Sequence, residues 1–306
     1  MAGLWFWLLL FAFSLSVKTA SSQSIWLDRG IDRAIWLEVQ KPDFPTNPRL
    51  AEAFNPEPEH TFTTSLLFLS ASWRVSELLV LRGEIPFASW GYKDYAFVYF
   101  ATTYNNPTGV PDTAVFSGFS EEKFGNPLLG VQLGGPAFPL SGEFALRFPL
   151  IQSESMQKIG ANWAAPFGAL TDYDRFEAFL QDMWSFNAAA NLKHTGPAGL
   201  FLRLRTGLTF LVPTKDYLEN DLYIDYASQA GYQFFRIELL AGFSGRYLVT
   251  EKSLDFGART IHQLGVSANY EVGHFIPGAH FRVPLDDDLQ RDLDFVFGLN
   301  LGYRLP

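Results

Sequence analysis

Along most of the chain, apolar residues alternate with polar or small ones at a period of two, in stretches separated by turn-forming residues. Twelve such stretches can be drawn: 33–41, 61–74, 78–88, 126–134, 142–151, 185–194, 199–212, 221–232, 234–248, 258–271, 275–285 and 292–305. The last is the clearest. Leu293, Phe295, Phe297, Leu299, Leu301, Tyr303 and Leu305 share one face, and Asp294, Val296, Gly298, Asn300, Gly302 and Arg304 share the other. In 199–212, Leu200, Leu202, Leu204, Leu208 and Phe210 oppose Arg203, Arg205, Gly207 and Thr209. A period of two sends alternate side chains to opposite sides of a sheet. Most of the stretches reach the roughly 9–11 residues that a tilted strand needs to cross a bilayer.

A soluble β-sandwich also alternates, so two further features decide the reading. The connections are long in one set (42–60, 89–125, 152–184, 213–220, 249–257, 286–291) and short in the other (75–77, 135–141, 195–198, Gln233 alone, 272–274). Long loops at one end and tight turns at the other are the arrangement of outer-membrane barrels. Aromatics on the apolar face collect at strand ends. Trp73, Phe144, Tyr232, Phe235, Tyr270, Phe275 and Tyr303 fall at the short-turn rim, and Phe87, Phe148, Phe210 and Tyr247 at the other. Two such girdles place amphipathic rings at headgroup depth. Unpaired backbone groups are excluded from hydrocarbon, so the sheet must close. The predicted fold is all-β, a closed antiparallel up-and-down transmembrane β-barrel of about twelve strands.

Composition narrows the function. The chain is 48% hydrophobic and 16% aromatic, with a net charge of -9, which argues against a nucleic-acid partner. It has no cysteine, which removes disulfides, thiolate metal sites and a lipidated N-terminus from consideration. Leu4 to Val17 form an apolar core too short to span, followed by Ala20 and Ser22 at a small-residue cleavage pattern. Residues 1–22 are therefore expected to be a removed signal peptide, and 23–306 the barrel, exported to the outer membrane of a Gram-negative cell. Outer-membrane lipid is the expected surrounding.

The inward face should carry the chemistry. Nine basic residues (Arg82, Arg147, Lys193, Arg203, Arg205, Arg236, Arg246, Arg282, Arg304) face six acidic ones (Glu38, Glu84, Glu143, Asp225, Glu238, Asp294). An Arg or Lys on the lipid side near the midplane costs about 2–4 kcal/mol, which constrains the phase. The inward charges either line a narrow aqueous path with weak anion preference or pair into ion-pair networks that fill the barrel. The sequence leaves both open. In the connection 152–184, Thr171 can cap a helix on which Phe176, Phe179, Leu180 and Met183 recur at helical spacing. That helix of about three turns is either a constriction folded into the barrel mouth or packed on the outer rim. The rim is slightly favoured, because nothing local fixes where the loop goes. The acids Asp286, Asp287, Asp288 and Asp292 read as a solvated loop tip rather than a metal site.

The segments WRVSELLVLRGEIPF (73–87), GNPLLGVQL (125–133) and GEFALRFPL (142–150) resemble the porin-like outer-membrane proteins grouped as a meta-pathway phenol-degradation family. The resemblance implies passage of aromatic or other small compounds across the outer membrane. Gly298, Leu301 and Tyr303 of the last strand resemble an assembly signal, which implies the barrel-assembly machinery as a partner. No G-x-S-x-G, H-E-x-x-H or phosphate-binding loop occurs. His262 lies in phase with the lipid face, but Ser267 is on the opposite one, so this pair makes no hydrolase site. The expected function is passive or weakly selective passage of small-molecule solutes, with no enzyme activity and no cofactor. A structural or ligand-binding barrel with a blocked lumen is the alternative, and a lipid hydrolase is a remoter one.

Overall fold

The computed structural model describes residues 33–44, 62–92, 95–99, 112–116, 119–134, 139–152 and 164–306. The expected signal peptide lies outside the described residues. Strands β1 (Arg33–Asp43), β2 (Phe62–Arg74) and β3 (Leu79–Tyr92) pair in order, each antiparallel to the next. A short hairpin of β4 (Tyr95–Tyr99) and β5 (Asp112–Phe116) follows. β6 (Phe119–Phe124) and β7 (Leu128–Leu133) both pair with β3 and are two halves of one stave. β8 (Leu140–Arg147), β9 (Met183–Thr195), β10 (Leu200–Pro213), β11 (Asp221–Phe234), β12 (Ile237–Leu248), β13 (Thr260–Tyr270), β14 (Phe275–Pro284) and β15 (Phe295–Arg304) continue the meander. β15 then pairs with β1, from Ala34↔Arg304 to Asp43↔Phe295, and closes a barrel of twelve staves.

The burial pattern is inside out. In β1, Ile35, Leu37 and Val39 are 37%, 41% and 41% exposed, whereas Glu38 and Gln40 between them are 2% and 0% exposed. The same inversion runs around the sheet: Leu202, Leu204, Leu208, Leu239, Leu264, Leu299 and Leu301 face outward, while Arg203, Glu238, Gln263 and Asn300 are buried. Apolar side chains gain nothing by leaving acyl chains, so the interior is left to polar groups that pair with one another. A cation placed among the acyl chains tests this phase. Leu299→Arg, in mid-strand on the outer face, is expected to destabilise the barrel by about 2–4 kcal/mol in urea unfolding from liposomes.

Local physics accounts for the departures from the sequence reading. The turn between β11 and β12 is Phe235–Arg236, not Gln233. Phe235 takes the positive φ (51°) that the tight turn requires, and is 85% exposed. Arg236 therefore sits exposed at a turn tip and does not line the lumen. Asp294 also falls outside the lumen. Leu293 turns inward and is buried beside Tyr173 and Val296, which breaks the alternation before β15 and leaves Asp294 exposed at the rim. The connection 89–125 prolongs the sheet through the ends of β3 and β6, as an extension of the strands beyond the membrane would.

The helix predicted from Thr171 onward does not form as one unit. An α-helix, α1 (Ala164–Thr171), precedes it, a 3₁₀ segment (Tyr173–Ala178) follows, and Met183 opens β9. Arg175 is non-helical within that segment, at φ -135°. Nor does the segment pack on the outer rim: it lies inside the barrel.

Candidate functional site

The inserted segment is admitted by a break in the fourth stave. At Gly125–Asn126–Pro127, β6 gives way to β7. Pro127 has no N–H to offer a ladder. A Cβ on Gly125 would lie 2.5 Å from the Ala178 carbonyl oxygen, so only glycine lets the inserted chain approach this closely. Asn126, fully buried, then acts as the keystone. Its backbone N–H donates to the Ala178 carbonyl at 2.6 Å. Its side-chain amide donates to the carbonyls of Glu177 (3.2 Å) and Leu180 (2.6 Å), and its side-chain oxygen accepts from the Ile151 N–H at 3.0 Å. Asn126→Ala leaves these groups buried without partners. It is expected to cost about 2–4 kcal/mol and to expose 172–182 to limited proteolysis.

Above this point, α1 lays an apolar surface on the inner wall. Ala164, Ala165 and Phe167 pack with Leu66, Phe68, Ala88, Trp90, Ile151 and Phe179. Trp90 stacks on Phe167 at 5.7 Å, and Phe68 meets Phe179 edge-on at 5.8 Å. Below α1 the chemistry changes to charge.

Arg175 is the hub. Its guanidinium reaches Asp172 at 2.6 Å, Glu38 at 2.9 Å and Glu84 at 3.0 Å, and it lies 3.5 Å over the Phe68 ring. Glu84 in turn holds Arg147 at 2.6 Å. Asp172 also accepts from Gln40 at 2.8 Å and Arg282 at 3.0 Å, and Gln40 bridges to Glu38 and Arg282. On the far side, Glu177 pairs with Arg246 at 2.8 Å, and Arg246 pairs with Asp225 at 2.8 Å. Asp174 accepts from Ser244 at 3.0 Å. Burial alone would raise the Asp172 carboxyl, but the Arg175 and Arg282 guanidiniums outweigh it and hold it well below the usual carboxylate range. Burial opposes ionisation of Glu177 too, and Arg246 and Arg147 likewise prevail and lower it. Both carboxyls are therefore held as carboxylates inside the barrel.

The wall residues expected to face the lumen largely converge here. Glu84, Arg147, Asp225, Arg246 and Arg282 bond the inserted segment or its direct partners. Nearer the short turns, Arg82 and Arg205 share Glu143 at 2.7 and 2.5 Å, Arg82 also bonds Gln132, and Arg203 lies 3.6 Å from Glu238. The aromatic set is dispersed. Phe179 sits in the apolar cluster, Phe176 packs against Tyr223 and under Arg246, Leu180 gives its carbonyl to Asn126, and Met183 belongs to β9. Asp172, Asp174, Arg175 and Glu177 carry the contacts instead. Four charged residues crowded into TDYDRFE (171–177), three of them acidic, were the available signal.

Between the inserted segment and β7–β12 remains a cavity of about 90 Å³, room for several waters, bounded by Arg82, Glu143, Arg147, Glu177, Arg205 and Arg246. The net field inside is weak. Of the wall charges expected inward from the sequence, with Arg236 and Asp294 at the rims, eight are basic and five acidic. The inserted Asp172, Asp174, Glu177 and Asp182, with Arg175, bring that set to nine against nine.

An outer-membrane channel from Pseudomonas putida F1 has the same fold, with a TM-score of 0.56 at 9% identity, over 93% of this chain and 99% of that one. The NanC porin aligns at a TM-score of 0.45 and 6% identity over 88% and 100% of the two chains. The Ralstonia pickettii toluene transporter TbuX aligns at 0.42 and 10% over 90% of each. No family profile and no curated protein matches the sequence.

Proposed function

We propose that the protein is an outer-membrane channel for small hydrophilic solutes that rests closed, with the segment 164–182 as its gate. One observation carries this reading: a cavity with room for several waters, lined by charged side chains, inside a barrel whose outer face is apolar. A barrel meant only as a scaffold has no need of a polar cavity. A gate seated largely by ion pairs and hydrogen bonds can be displaced into water, where its charges are again solvated. The polar lining favours hydrophilic or zwitterionic solutes over aromatic hydrocarbons, and the near-balance of charge favours weak selectivity over the anion preference expected from the wall alone. In planar bilayers the purified protein is expected to show brief openings from a closed baseline, with a reversal potential near zero in a salt gradient. Silence from both the intact chain and one lacking the inserted segment would defeat the channel reading.

The full pairing of Arg175 favours one alternative, a permanently blocked barrel serving as a structural or ligand-binding element. Conductance only after removal of the segment, at any voltage applied, would select it.

A further inference from the structure

A second cluster of titratable groups lies at the outer rim, on the lipid side of the wall. His262 of β13 has Asp286 at 2.9 Å from Nδ1 and the Tyr226 hydroxyl at 2.7 Å from Nε2. The other Asp286 oxygen accepts the His262 backbone N–H at 2.5 Å. A carboxylate can only accept, so Nδ1 carries a proton toward Asp286, and Nε2 shares a hydrogen bond with the phenol. Phe243 stacks on the imidazole at 5.4 Å. Tyr226, Gly245 and His262 are register partners across β11, β12 and β13. A Cβ on Gly245 would stand 2.6 Å from the Tyr226 ring and 2.8 Å from the imidazole, so the glycine opens the channel through which the phenol reaches histidine.

Carboxylate, imidazole and hydroxyl in this order are the connectivity of a nucleophilic hydrolase. The chemistry argues otherwise. A phenol, with an ordinary pKa of about 10, is a far better leaving group than the alkoxide of a lipid ester. An adduct of Tyr226 with such an ester would expel the phenol and return the substrate. The cluster is better placed to hold something than to cleave it.

What it holds is the last outer loop. Asp286 occupies the N-cap position of the short helix α2 (Asp287–Gln290), but its side chain makes no capping bond and is given entirely to His262. The loop that follows lays Leu289 and Leu293 against Leu170 and Tyr173 of the inserted segment, and Leu293 and Tyr173 are both buried there. The Tyr173 hydroxyl is enclosed in this contact without a hydrogen-bond partner among the described residues. Burial, then the nearby Asp292 and Asp286, raise its pKa and keep it neutral. An enclosed, unsatisfied hydroxyl weakens the seat it sits in.

We infer that the loop 285–294 is a strap over the gate and that the Tyr226–His262–Asp286 chain is its clasp: releasing the clasp frees Leu289 and Leu293 from the inserted segment and favours opening. The inference rests on the gated-channel reading above. It predicts effects of opposite sign from two sets of substitutions, which general destabilisation would not produce. His262→Phe keeps the stacking on Phe243 but loses the clasp, and Asp286→Asn weakens it. Both are expected to raise open probability roughly tenfold. Tyr173→Phe removes the stranded hydroxyl and is expected to lower it roughly fivefold.

The natural chain has no cysteine, so a reversible clasp can be built. In the double variant His262→Cys/Asp286→Cys, the oxidised protein is expected to gate like the parent, and reduction to release it to the level of His262→Phe. The chain lacking 165–182 serves as the reference. If that chain conducts while the clasp variants and the reduced double variant stay at the parent's open probability, the strap is wrong and the channel stands. If that chain is silent as well, the channel reading fails first.

Discussion

Deleting residues 165–182 and bridging the ends with a short glycine–serine link will convert a mostly closed barrel into a persistently open one. Single-channel conductance is expected to rise by roughly tenfold, because a segment that fills the lumen is replaced by water. Selectivity should change with it. The inserted acids offset the wall's basic excess, so their removal leaves the inward basic residues in excess over the acidic ones and shifts the reversal potential toward anions. The wall itself has its own strand pairing on both sides of the loop, with β8 paired to β9 from Leu140↔Leu192 to Arg147↔Ser185. Heat-modifiable gel mobility should therefore persist and separate an open barrel from an unfolded one. Unchanged conductance in a folded deletion variant would mean that the segment is not the gate.

Arg175→Ala should achieve much of the same with one residue. The substitution leaves Glu38, Glu84 and Asp172 facing one another without the cation that all three share. Removing one partner from a buried ionic cluster costs about 3–5 kcal/mol, because the remaining charges are left in low dielectric. The strain can be relieved by expelling the segment into water, so the variant should conduct and should be cleaved by protease within 172–178. Arg175→Lys is expected to rescue little, since an ammonium cannot present the planar fork that reaches three carboxylates at once. A closed, protease-resistant Arg175→Ala variant would show that the hub does not hold the gate.

Acidity should act through the same groups, in a defined direction. Asp172 and Glu177 have folded pKa values below their ordinary ones. The stabilisation they contribute is therefore fully present above the ordinary carboxylate range near 4 and is lost only as pH falls through the lowered values. The intact channel is expected to stay closed between about pH 5 and 7 and to open in strongly acidic medium.

The sequence by itself determined the number of staves, their phase and the sign of each face. These follow from alternation within about ten residues, and a bilayer makes every error of phase costly. Arg82, Glu84, Arg147, Arg203, Asp225, Arg246 and Arg282 could be placed inward one by one on that ground alone. Only the tertiary structure decided what those charges do. Glu38 and Arg175 are 137 positions apart, Gln40 and Arg282 are 242 apart, and no local pattern brings either pair together. The same holds for 171–184, whose apolar spacing suits a helix on its own but yields, inside the barrel, to wall partners that pull Asp172, Arg175 and Glu177 in different directions. Arg236 and Asp294 left the lumen for a related reason: at a strand end, turn geometry and a buried neighbour outweigh alternation.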